Sequence, residues 1–153
     1  MSYSTWTTCG IGFCIDNLSI NTDKFLAAIK TSPLPIVDKN FEKLCADCGY
    51  DIYAICDELV DAFDIELGCH SVANIVAYLM KYNHAFLYDC TLCDDFDGKA
   101  YILYEPKFPW NLSEQERTLT NKKLINSFTD FLKTIVTDKS TIEIKYQEVS
   151  NGG

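Results

Sequence analysis

Residues 3–16 alternate, with Cys9, Ile11, Phe13 and Ile15 on one side and Thr8, Gly10, Gly12 and Cys14 on the other, which is the period of a strand. The two glycines leave the second side bare, making room for a helix or a ligand; a packed helix is the expected occupant. The period then changes to helical. Asn21 or Thr22 can cap a helix over 23–31 carrying Phe25, Leu26 and Ile29, and Pro33 and Pro35 end it. Phe41, Leu44, Cys45 and Cys48 predict a second helix over 39–47, with Gly49 as its stop.

A third helix is predicted over 51–63. At 100° per residue, Ile52, Ile55, Cys56, Leu59, Val60 and Phe63 fall in one arc, and Asp57, Glu58, Asp61 and Asp64 fall opposite. A fourth, over 71–82, is apolar nearly all round and reads as the buried central helix. Alternation resumes over 86–92 and 99–105, separated by turn residues at 94–98, predicting an antiparallel hairpin. Ser113 and Glu116 form a capping-box pattern for a long helix over 114–136 with Leu124, Phe128, Phe131, Leu132 and Ile135 inside. A last strand is predicted over 141–147, burying Ile142, Ile144 and Tyr146.

This order, β-α-α-α-α-β-β-α-β, predicts an α+β fold: a mainly antiparallel sheet of about four strands covered by helices. Residues 1–149 are expected to make one domain, and the polar stretch 150–153 a disordered tail.

Composition adds a compartment. Of 153 residues 48% are apolar, which excludes a disordered chain. The apolar runs are all shorter than the roughly 18 residues a membrane span needs, and no secretory leader pattern opens the sequence. A cytoplasmic protein is expected, its eight cysteines reduced and mostly buried.

Charge changes the picture more. Between residues 44 and 98 stand eleven acids and one base, Lys81, so this third of the chain carries essentially the whole net charge of -9. With Arg117 the sole arginine and no basic stripe, direct binding to nucleic acid or to an anionic membrane is not expected. A basic protein partner is.

Candidate chemistry is sparse. Cys45 with Cys48, and Cys90 with Cys93, are both C-x2-C pairs, the spacing with which thiolates grip zinc. Against a shared site, Cys45 and Cys48 lie in a helix's apolar stripe, and Cys90 and Cys93 point to opposite faces of a regular strand. Asp94, Asp95, Asp97 and Gly98 do not fit a calcium loop, because Cys93 and Tyr104 would occupy its end positions. For nucleophilic catalysis the chain offers Cys69 next to His70, plus His84, but adjacent residues point apart, so the His70 and Ser71 pair is expected to cap the following helix, with no cofactor implied.

The acids remain. Asp57, Glu58, Asp61 and Asp64 stand in like-charge pairs at i,i+3 and i,i+4, each costing about 0.2–0.5 kcal/mol in an isolated helix. The carboxylates along this helix stand near the interval of phosphates on a nucleic-acid strand, and with Glu66, Asp94, Asp95 and Asp97 they form the candidate partner-binding set. The expectation is a non-catalytic acidic binder that occupies the basic, nucleic-acid-handling surface of a partner, such as a nuclease. In type, though through no motif, this resembles the small inhibitors of phages and mobile elements, including anti-CRISPR and anti-restriction proteins. The alternative is a small cytosolic enzyme or zinc protein using the C-x2-C pairs.

Overall fold

The opening alternation becomes strand β1, Thr5–Cys14. The computed structural model describes residues 4–33, 40–63, 69–82 and 88–152. Within them helices α1 (Thr22–Lys30), α2 (Phe41–Asp47), α3 (Ile52–Phe63) and α4 (Ser71–Lys81) come first. Strands β2 (Thr91–Asp94) and β3 (Ala100–Tyr104), helix α5 (Asn121–Leu132) and strand β4 (Lys145–Gly152) follow. The fold is α+β with the expected order of elements, and the sheet is antiparallel throughout, in the order β2-β3-β1-β4.

Helix ends follow local chemistry. Asn21 caps α1, accepting from Lys24 N–H at 2.9 Å. Gly49, at φ 63°, closes α2 in a Schellman arrangement: Gly49 N–H donates to the Ala46 carbonyl and Tyr50 N–H to that of Cys45. Helix α4 is the buried one, with Val72, Ala73, Ile75, Val76, Leu79 and Met80 all inside. No described helix is long and apolar enough to cross a membrane.

One face of the sheet packs against the helices. Phe13 and Ile102, paired across β1 and β3, share a core with Phe25, Ile55, Leu59, Ile75 and Phe128. The other face carries Gly10 and Gly12, and what lies over them is not a helix but the backbone of β3. A Cβ on Gly12 would meet the Ile102 carbonyl oxygen at 1.8 Å, and one on Gly10 the Tyr104 oxygen at 2.3 Å. This close approach lets the sheet coil until its outer strands meet. Asn151 of β4 donates to both the carbonyl and the side chain of Asp94 on β2, at 3.1 and 2.8 Å, and the Cys93 thiol lies beside the Thr8 side chain. Leu103 and Val149 are buried on this inner face.

Four further expectations need correction. The helix over 114–136 is two pieces. Ser113 and Glu116 do form the reciprocal box, at 3.1 and 3.2 Å, but it closes only a 3-10 turn, Glu116–Thr118. Extended backbone at Leu119 follows, and Thr120 caps α5. The last strand is displaced to 145–152: a 3-10 turn over 139–141 precedes it, Ile142 and Ile144 are half-buried, and Tyr146 is exposed. Ser150, Asn151 and Gly152 are therefore strand rather than a disordered tail, in register with Thr7, Trp6 and Thr5. The hairpin's first strand starts at Thr91, later than the alternation implied, because its partner residues lie on β3 between Ala100 and Leu103. The start expected at residue 86 lies outside the described residues.

Candidate functional site

Helix α3 displays the face its periodicity predicts. Ile52, Ile55, Cys56 and Leu59 pack inward, and Asp57, Glu58 and Asp61 are exposed. Among the described residues the ion pairs are Lys30–Glu42, His70–Asp16, Lys107–Glu116 and Lys145–Glu143, so no base reaches this face. Asp61 also stands in the helix's last turn, where the exposed carbonyls already repel negative charge. Tyr53, 65% exposed, precedes Asp57 and Asp61 at four-residue intervals, so an aromatic ring and two carboxylates line up about 6 Å apart along the helix.

The other predicted acids divide. Asp95 is committed to its own turn: Oδ1 accepts from Asp97 N–H at 2.9 Å and Lys99 N–H at 3.0 Å, and Oδ2 from the Tyr101 hydroxyl at 3.2 Å. Asp94 holds Asn151. Both are half-buried structural groups, and only Asp97 of this cluster is fully exposed. Asp64 and Glu66 lie outside the described residues. The described part of the predicted face is thus Asp57, Glu58, Asp61 and, separately, Asp97.

Among the described residues no three His, Cys, Asp or Glu side chains are grouped to hold an ion. Cys45 is buried on α2 and Cys48 is its C-cap, while the Cys90 thiol turns to the Tyr88 carbonyl and Cys93 to Thr8. All eight cysteines are free; three are buried and five half-buried, so burial is less complete than expected. Burial is nonetheless the main cause pushing the thiols up, aided by neighbouring carboxylates, to about 12 for Cys69 and Cys90 and about 11 for Cys93. Cys45, Cys48 and Cys56 are raised too, by burial first and by nearby acids next. Such groups are thiols at neutral pH, and it is the thiolate that attacks carbon or binds metal. A thiol reagent near neutral pH should react quickly with few of the eight in native protein and with nearly all after denaturation. Rapid labelling of most of them in folded protein would show that they are not enclosed.

Two polar clusters are only partly legible in the sequence. His70 caps α4 through its ring: Nδ1 accepts from Ala73 N–H at 3.2 Å. Nε2 faces Asp16 Oδ1 at 3.1 Å. Asp16 Oδ2 also accepts from Ala100 N–H at 2.7 Å. Both ring nitrogens are committed, so His70 braces the helix start as its position before Ser71 implied. The second cluster centres on Glu116, which accepts from the Tyr104 hydroxyl at 2.5 Å, Lys107 Nζ at 2.7 Å and Ser113 N–H at 3.1 Å. Burial pushes this carboxyl up, but the bonds from Lys107, Tyr104 and Ser113 outweigh it and hold it at about 2. The capping-box pattern flagged Glu116; its tie to the sheet has no signal in sequence.

Beside α3 lies a cleft of about 420 Å³ between the end of β1, the α2–α3 corner and the start of α4. Ile15, Ile52 and Val72 line it from the core, Asp16 and Asp51 contribute carboxylates, and the exposed rings of Tyr50 and Tyr53 flank it. A second groove, about 460 Å³, runs past Asp89, Glu105 and Lys107 to Phe108, whose ring stacks on Trp110 at 4.8 Å. No known protein family, characterised protein or solved structure matches this chain.

Proposed function

We propose that this protein is a non-catalytic binder whose acidic helix α3 engages a basic surface of a partner protein, one that otherwise handles nucleic acid. The observation that carries the reading is the exposed row of Asp57, Glu58 and Asp61 with no base among the described residues to balance it. By contrast, Asp16, Asp94, Asp95 and Glu116 are each engaged by donors within the fold. A helix built only for solubility mixes signs along its surface, because mixing avoids the like-charge cost. On this reading the role is that of the small inhibitors with which phages and mobile elements block defence nucleases, and the protein acts in the cytoplasm. Raised thiols weigh against the alternative of cysteine chemistry.

Substituting Asp57, Glu58 and Asp61 together by Lys tests it. These side chains face solvent, so thermal unfolding should stay cooperative and near the wild-type midpoint. Capture of basic nucleic-acid-binding proteins from host lysate at about 50 mM salt should fall at least tenfold. Wild-type capture should itself weaken steeply as salt is raised to about 500 mM, since the screening length shrinks from above 10 Å to a few ångströms. Equal capture by the folded variant would sink the proposal.

A further inference from the structure

We propose that the cleft beside α3 is a receptor for an arginine side chain of the basic partner; this rests on the functional reading above and names the group that docks. Its walls divide by chemistry. Ile15, Ile52 and Val72 offer an apolar floor for an aliphatic stem, and Asp16 and Asp51 offer negative charge. No lysine or arginine lines it among the described residues. The volume of about 420 Å³ exceeds what one long side chain needs.

Asp16 is already oriented. Ala100 N–H and His70 Nε2 hold its carboxylate, yet the side chain remains 35% exposed. An ionised carboxylate has about four lone-pair positions, so room is left for a further donor. Asp51 takes Tyr53 N–H on Oδ1 and is itself exposed. Two rings then flank the cleft, Tyr50 at 54% and Tyr53 at 65% exposure. A guanidinium is planar, weakly hydrated and forked, so it can stack on a tyrosine face while donating to carboxylates. A lysine ammonium, compact and strongly hydrated, gains less from the same walls. Tyr53 also heads the line that continues through Asp57 and Asp61, so an arginine seated here places neighbouring basic residues of the same partner along α3.

The test is a titration of the whole protein with acetyl-arginine amide, followed by NMR at low salt, with acetyl-lysine amide as the comparison. The arginine probe should give saturable shifts centred on Tyr50, Tyr53, His70 and Val72, with a dissociation constant on the order of 1 mM, as suits so small a ligand. The lysine probe should bind several-fold more weakly. Tyr53→Ala should weaken arginine binding by roughly tenfold, the size of a stacking contribution. Asp51→Asn should weaken it several-fold while keeping the acceptor for Tyr53 N–H. Reversing Asp57, Glu58 and Asp61 to Lys should change the probe's affinity by no more than a few-fold. Unsaturable shifts, shifts spread evenly over the exposed acids, or equal binding of both probes would overturn the cleft as a receptor. If those results came while partner capture still collapsed on α3 reversal, the acidic-helix reading would survive without the cleft. Saturable arginine binding with capture unchanged by α3 reversal would support the cleft and remove the helix.

Discussion

Phe128→Ala should lower the unfolding free energy by about 3–5 kcal/mol, the cost of truncating a fully enclosed phenylalanine. Phe128 is 0% exposed and meets Phe13 edge-to-face, with ring centroids 5.6 Å apart at 74°. Through this contact α5 grips the C-terminal end of β1. Neighbouring positions offer little relief, because Phe25, Ile102 and Leu132 are enclosed in the same core and cannot swing into the space without leaving their own. A domain of this size has about 5–15 kcal/mol to lose, so the variant should stand near the edge of folding. With a urea slope of about 2 kcal/mol/M, the midpoint should fall by roughly 1.5–2.5 M. Partner capture should fall in proportion to the unfolded fraction, since a twelve-residue helix such as α3 does not hold its shape alone. An unchanged midpoint would mean that α5 presents a different face to the sheet.

That face is legible in the amino-acid sequence alone. Leu124, Phe128, Phe131 and Leu132 recur at helical spacing and are buried; the same argument places Asp57, Glu58 and Asp61 in solvent. Periodicity reports which way a residue faces within its own element, and there it succeeds. It fails where a residue's partner is far along the chain. Ser150, Asn151 and Gly152 look like a polar tail, and only their register with Thr7, Trp6 and Thr5 makes them strand. Ser113 and Glu116 mark a helix start by local rule, but Glu116 answers to Tyr104 and Lys107, and the helix waits for Thr120. Alternation at 141–147 puts Tyr146 inside, yet that segment turns before β4 begins and the ring is exposed. The cleft is invisible for the same reason: Asp16 and His70 are separated by 54 positions in sequence and meet only once β1 and α4 are packed.

The glycines of β1 show a local signal read correctly as close approach and wrongly as to what approaches, and they set the second large effect. Gly12→Ala should abolish cooperative folding or reduce stability by more than the 1–3 kcal/mol usual for overpacking. The added carbon would stand 1.8 Å from the Ile102 carbonyl oxygen, 2.8 Å from its carbon and 2.9 Å from the Leu103 Cα. All three are backbone atoms, so no rotamer change relieves the overlap; β3 must move away from β1 where Gly12 pairs with Leu103. Flattening the sheet there separates its outer strands, breaking the Asn151 bonds to Asp94 and parting Cys93 from Thr8. Gly49→Ala is the control. It sits at φ 63° with nothing near the would-be Cβ, so its cost is conformational alone, about 1–2 kcal/mol. Urea unfolding of both variants should therefore rank Gly12→Ala well below Gly49→Ala. Any folded Gly12→Ala protein should label faster at Cys93 than wild type does, because the inner face of the sheet has opened. If Gly12→Ala melts with the wild type and protects Cys93 equally, the sheet is not coiled about this residue.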